Sequence, residues 1–122
     1  MIAALVGRPI TLPRALVDAY PELASASWRR GGVPPRVGGW CLGRSTVSGI
    51  TLGRTVWLAP AAPLDPALLL HELRHVHQFE ADRLFMLRYV WRSLRGGYVD
   101  NPYEADARDF AARRVADAPL TV

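Results

Sequence analysis

The chain changes texture near Pro63, and that boundary constrains the fold more than any other feature of its 122 residues. After it the residues follow helical spacing. Asp65-Pro66 is a strong helix start, with Asp as N-cap and Pro at the first helical position. The pattern runs towards Arg95 and stops at Gly96-Gly97. Asp100-Asn101-Pro102 opens a last helix in the same way, running to about Ala116. Before the boundary the chain is punctuated by Pro and Gly and rich in Val, Thr, Trp and Leu. Residues 13–24 predict one or two helical turns interrupted by Pro21, and residues 33–39 a loop. Trp40 to Leu42, Thr46 to Leu52 and Thr55 to Leu58 predict short strands split by Gly43, Gly49 and Gly53. The expected fold class is α+β, a small antiparallel sheet followed by helices. It forms one domain over residues 1–122, with strands and loops in 1–60 and helices in 65–117.

Composition narrows the function classes. Half the residues are hydrophobic and 21% are charged, which describes a folding chain and not a disordered tail. No apolar run approaches bilayer length, and the apolar run at residues 2–6 is too short for a secretory signal. A cytoplasmic location is expected, with any export by a non-classical route. The single Cys excludes an internal disulfide framework and fits a reducing compartment. All fifteen cations are Arg, which with the many Ala residues reads as compositional bias. The net charge of +4 permits nucleic-acid binding but does not argue for it. No nucleic-acid or membrane partner is expected.

The chemistry lies in His71-Glu72-Leu73-Arg74-His75, an HExxH pattern inside the first long helix. At about 100° per residue the two His stand one turn apart on one face, where both imidazoles reach one Zn²⁺. Glu72 is rotated about 80° from their midline, poorly placed to ligate but well placed to act on water as a general base. A third protein ligand is needed. Gln78 and Ala81 occupy the positions where a metzincin carries Gly and its third His, so that class is excluded. Asp82 lies about 10 Å from His75 along the helix, too far to ligate, and His77 points about 140–160° away, towards a buried or supporting role. The remaining candidate is Glu104, in the first turn of the last helix. A carboxylate there also serves helix capping and the helix dipole. Ala105, Ala107, Ala111 and Ala112 would let that helix pack closely on another.

Geometry adds a constraint. One straight helix from His75 to Arg95 would end about 30 Å from the metal, too far for residues 96–101 to bring Glu104 back easily. Two helices are therefore expected, about 66–79 and 82–95, meeting at an angle with Asp82 as cap of the second.

The strand ending Gly53-Arg54-Thr55-Val56-Trp57-Leu58, the Pro-rich link, HELRHVHQ and the Asn-Pro-Tyr-Glu segment together resemble the gluzincin group of zinc metallopeptidases. The resemblance is closest to very small bacterial zincin-like domains of unknown function and covers roughly Gly49 to Arg114. It implies His71, His75 and Glu104 as zinc ligands and Glu72 as general base. It also implies a peptide substrate added along an edge strand at Val56, Trp57 and Leu58. Tyr98 and Tyr103 are candidates to stabilise an oxyanion. Gluzincins often carry an acid four residues after the ligand Glu. Arg108 stands there, and Asp106 and Asp109 point away from Glu104 on an ideal helix, so no residue is assigned to orient a zinc His.

The reading is a zinc-dependent metallopeptidase-like protein acting on a peptide or protein substrate. Its alternative is a zinc-bearing interaction or effector-associated module with little hydrolytic activity, and a metal-free basic nucleic-acid binder is the more distant one. Leu84, Leu87, Val90, Trp91 and Leu94 share one face with Arg88, Arg92 and Arg95 on its flank, which predicts a core helix with a solvated basic edge. Cys41 reads as a small buried hydrophobe in a strand.

Overall fold

The computed structural model describes residues 6–32, 48–97 and 101–119. The loop expected at 33–39, the strand at Trp40 to Leu42 with Cys41, and Tyr98 lie outside them.

Among the described residues, four short strands form one sheet: β1 (Arg8–Pro9), β2 (Ser27–Arg30), β3 (Gly49–Leu52) and β4 (Thr55–Leu58), in the order β1-β2-β4-β3. β3 and β4 make a hairpin closed by Gly53-Arg54, with Leu52 opposite Thr55. Gly53 has φ 65°, the positive value that the first residue of a II′ turn requires and that an L side chain resists. The α+β class holds, but the sheet is mixed and not antiparallel, because β2 runs parallel to β4, from Ser27↔Thr55 to Arg30↔Leu58. β2 escapes a reading by alternation because its inner-face Trp28 is followed by two arginines, both of which serve the backbone. Arg29 donates to the carbonyls of Val6 and Gly7, and Arg30 to those of Ala59, Pro60 and Ala62.

That strand order corrects a second expectation. β4 lies between β2 and β3, so Val56, Trp57 and Leu58 are not an edge open to a peptide. Val56 and Leu58 are fully buried, and the Trp57 indole donates to the Val6 carbonyl. Among the described residues, the outer strand on that side is β3.

Residues Arg14–Ala19 form a short helix, α1, followed by a 3-10 turn at Pro21–Ser25, as Pro21 dictates. Next come α2 (Pro66–Ala81), α3 (Phe85–Gly96) and α4 (Pro102–Asp117). α2 starts as its sequence demands, with the Asp65 carboxylate accepting from the Leu68 amide at 3.3 Å and Pro66 in the first turn. Its apolar face (Leu69, Leu70, Leu73, Val76) packs with Val56, Leu58, Trp28, Tyr20 and Leu23 into one core. α4 packs on α2 through Ala107 and Ala111, both buried, whereas Ala105 and Ala112 face outward.

The far end of α4 is tied to the N-terminal half. Arg114 donates to Glu22 at 2.6 and 3.2 Å and lies over the Tyr20 ring, whose hydroxyl donates to the Ala118 carbonyl. The Arg114 bond holds the Glu22 carboxyl below its ordinary value. A depressed carboxyl stabilises the fold at neutral pH, and that contribution is lost as the pH falls through the folded value. Glu22→Gln should therefore lower the thermal midpoint at about pH 7 and change it little at about pH 3. Equal shifts at both would assign the effect to packing.

The break expected between α2 and α3 is present, but Asp82 caps the end of α2, and the N-cap of α3 is Leu84. Asp82 is extended (φ −145°, ψ 113°), ends α2 at Ala81, and accepts from the Leu84 amide at 2.9 Å while holding Arg88 at 2.7 Å. The other expectation for this segment fails, since α3 is not a core helix. Its inward face is Phe85, Tyr89 and Ser93, and Leu84, Leu87, Val90, Trp91 and Leu94 stand exposed to solvent. No helix among the described residues is long and apolar enough to cross a membrane.

Candidate metal centre

The α2 start fixes where His71 and His75 emerge, one turn apart on the face towards α4, with ring centroids 5.1 Å apart. The α4 start fixes Glu104. Asn101 caps it, accepting from the Tyr103 amide at 2.9 Å, and its amide nitrogen donates to the Tyr89 carbonyl and the Ser93 hydroxyl. Asn101 is wholly buried and so welds the first turn of α4 to α3. Glu104, three residues on, turns its carboxylate between the two imidazoles. Oε2 lies 2.8 Å from His71 Nε2 and Oε1 lies 2.9 Å from His75 Nε2. Glu104 and His75 are almost fully buried, and His71 is the most open of the three.

This trio is a group of side chains able to hold a metal ion, all ligand atoms lying within 4.8 Å of one another. Tetrahedral zinc with bonds of about 2.0–2.1 Å spaces its ligand atoms about 3.3 Å apart. The imidazole–carboxylate distances of 2.8 and 2.9 Å need only about half an ångström of opening to admit the ion. The donor set of two imidazoles and one carboxylate is also one that zinc accepts.

Without metal the same atoms are held by protons. Burial would depress the His75 imidazole, but its bond to Glu104 and the Glu72 and Glu104 charges outweigh burial and push it up to about 9. Burial would likewise raise the Glu104 carboxyl, yet the His71 and His75 hydrogen bonds hold it well below the usual carboxylate range. Metal binding at these atoms must displace protons.

Three supporting residues have no signal in the motif. The Gln78 amide nitrogen donates to the Tyr103 carbonyl at 3.1 Å and to Asp106 at 2.9 Å, both acceptors only. That fixes the amide orientation, so Gln78 Oε1 faces His75 Nδ1 at 2.7 Å and accepts its proton. Once the Nε2 proton is displaced, His75 is thereby left as the Nδ1–H tautomer, with Nε2 free for a metal. Asp106 is held in turn by Arg74 at 2.8 Å. The residue that orients His75 thus lies on α2 itself, three residues on, and the α4 carboxylate acts through it. Tyr89 donates to Glu104 Oε1 at 2.7 Å. Of the two tyrosines expected from sequence, Tyr103 packs its ring against Phe85 (5.1 Å) and Tyr89 (6.5 Å). His77 stacks edge-on against Phe110, away from the site.

Gln78→Ala should leave the fold intact and weaken zinc binding about 10–100-fold, the usual effect of removing a group that orients a ligand His. Unchanged affinity in a competition titration would remove Gln78 from this role.

Glu72 lies on the other side, beneath β3. Gly49 lets the strand approach it, since a Cβ there would stand 3.2 Å from the Glu72 carboxyl carbon. Burial raises the Glu72 carboxyl above its ordinary value, with His75 and His71 opposing. The Thr51 hydroxyl sits 3.0 Å from Glu72 Oε2 and 3.2 Å from the Glu72 carbonyl oxygen. It donates to an ionised Glu72, or accepts from a neutral one while donating to the carbonyl. Either protonation state is therefore satisfied, which suits a group that takes and returns a proton.

Comparison with protein-family models, with curated proteins and with solved structures finds no match to this chain.

Proposed function

We propose that this chain is a zinc-dependent, metallopeptidase-like hydrolase, with His71, His75 and Glu104 as metal ligands and Glu72 as general base. The observation that carries the reading is the convergence of the Glu104 carboxylate on both imidazoles of an HExxH pair, at 2.8 and 2.9 Å from a separate helix. When bound, zinc would supply a Lewis acid and lower the pKa of water to about 7. The chain's own residues do the rest. Gln78 keeps the His75 proton on Nδ1, Tyr89 orients Glu104, and Glu72 takes the proton of the attacking water and passes it to the leaving amine. Thr51 steadies Glu72 in both states. The substrate class in this reading is a peptide or protein.

A second reading, a zinc-bearing interaction module with little hydrolysis, is favoured by the burial of Glu72, which is 5% exposed. Elemental analysis of protein expressed with ample zinc tests the metal common to both. About one zinc per chain is expected, and a metal-free product overturns both. A broad peptide-hydrolysis screen with Glu72→Ala as control then separates them. Hydrolysis that the variant lacks supports the first, and a zinc-loaded but inert protein the second.

A further inference from the structure

Seven large hydrophobic side chains are exposed among the described residues, and five of them line one face of α3 and its N-cap. They are Leu84 (52% exposed), Leu87 (69%), Val90 (43%), Trp91 (58%) and Leu94 (73%). On a helical wheel they fall within an arc of about 120°, opposite Phe85, Tyr89 and Ser93, which face the protein. Arg88, Arg92 and Arg95 border that arc on one side. Residues 83–97 hold four Arg and no Asp or Glu, and only Asp82, just ahead of them, reaches back to Arg88 at 2.7 Å. The Arg95 guanidinium lies over the Trp91 ring at 5.7 Å.

We infer that α3 is an interfacial anchor, laying its Leu84–Leu94 face into an anionic lipid surface with Arg92 and Arg95 at headgroup level. A short helix with a leucine and tryptophan face, an arginine flank and no acid is the arrangement that lies in the plane of such a surface. The apolar side chains enter the acyl boundary, and the arginines reach outward along their stems to phosphate. The charge decides among occupants. A second copy of the same face would bring four more arginines and no acid, so the cations beyond the Asp82–Arg88 pair would meet only like charge, whereas an anionic bilayer answers them. The inward face of the same helix carries Tyr89 to Glu104, so docking would set the His71–His75–Glu104 group close to the lipid surface. The anchoring itself does not depend on metal.

Sedimentation of the full chain, without added zinc, with vesicles of phosphatidylcholine or of phosphatidylcholine and phosphatidylglycerol at about 3:1 tests this. Binding at least about tenfold tighter to the anionic vesicles, and weakened by salt, is expected. Leu87→Glu with Leu94→Glu should abolish it, both positions being open enough to accept the change without unfolding. Arg92→Glu with Arg95→Glu, on the polar flank, should remove the preference for anionic lipid, so a folding failure of the first pair still leaves a test. No binding to anionic vesicles, or binding that neither pair alters, overturns the inference. So does a dimer in sedimentation velocity that Leu87→Glu with Leu94→Glu dissolves, or duplex DNA captured more tightly than the vesicles.

Discussion

Zinc at about a thousandfold excess over its Kd should stabilise the folded chain by about 4 kcal/mol and raise the midpoint of thermal unfolding by at least about 10 °C. His71→Ala, His75→Ala and Glu104→Ala should each abolish that rise. The logic separates a metal centre from a buried ion-pair network built of the same atoms. As a network alone, the Glu104 carboxylate with its three donors (His71, His75, Tyr89) would stabilise the fold equally with zinc or with a chelator. As a metal centre, it gains only when the ion displaces the bridging protons, so the gain grows with free zinc and vanishes with any one ligand. Glu104→Ala lowers the metal-free midpoint in both cases, since it leaves a buried, proton-rich His75 without its partner. The difference between zinc and chelator is therefore the decisive quantity. A parent protein whose midpoint is indifferent to zinc would reduce the trio to a structural network.

Glu72→Gln should remove about 10²–10⁴-fold of any hydrolytic rate and leave the zinc-dependent rise in midpoint in place. The substitution keeps the shape of the side chain and an oxygen to accept from Thr51, 3.0 Å away, so it alters proton transfer and little else. Thr51→Val makes the complementary test by deleting the hydroxyl that satisfies both protonation states of Glu72. It should shift the pH dependence of the rate more than it shifts zinc binding. Hydrolysis equal in Glu72→Gln and parent would assign the chemistry elsewhere.

What could be read along the chain is what local geometry governs. Asp65-Pro66 and Asn101-Pro102 set the starts of α2 and α4, because a cap and the residues it satisfies lie within one turn. Helical rise and the reach of residues 96–101 required a break before Glu104 could return, and Asp82 supplies it by accepting from Leu84. His71 and His75 were nameable for the same reason, sharing a face by spacing, whereas Glu104 was reached by eliminating Asp82 and His77.

Tertiary structure alone decided the rest, where partners distant in sequence compete. The parallel pairing of β2 with β4 buries Val56, Trp28 and Leu58 in one layer and moves β4 from edge to centre, and no five-residue window carries that outcome. Asp106 points away from Glu104 on α4, as helix geometry requires, yet it serves the site through Gln78 once α4 lies against α2. Tyr89 reaches Glu104 because Asn101 and the Phe85–Tyr103 ring contact join α3 to α4. That same joint turns Phe85, Tyr89 and Ser93 inward and leaves the leucine face outward. An amphipathic pattern states that a helix has two unlike faces, and only packing chooses which of them meets the core.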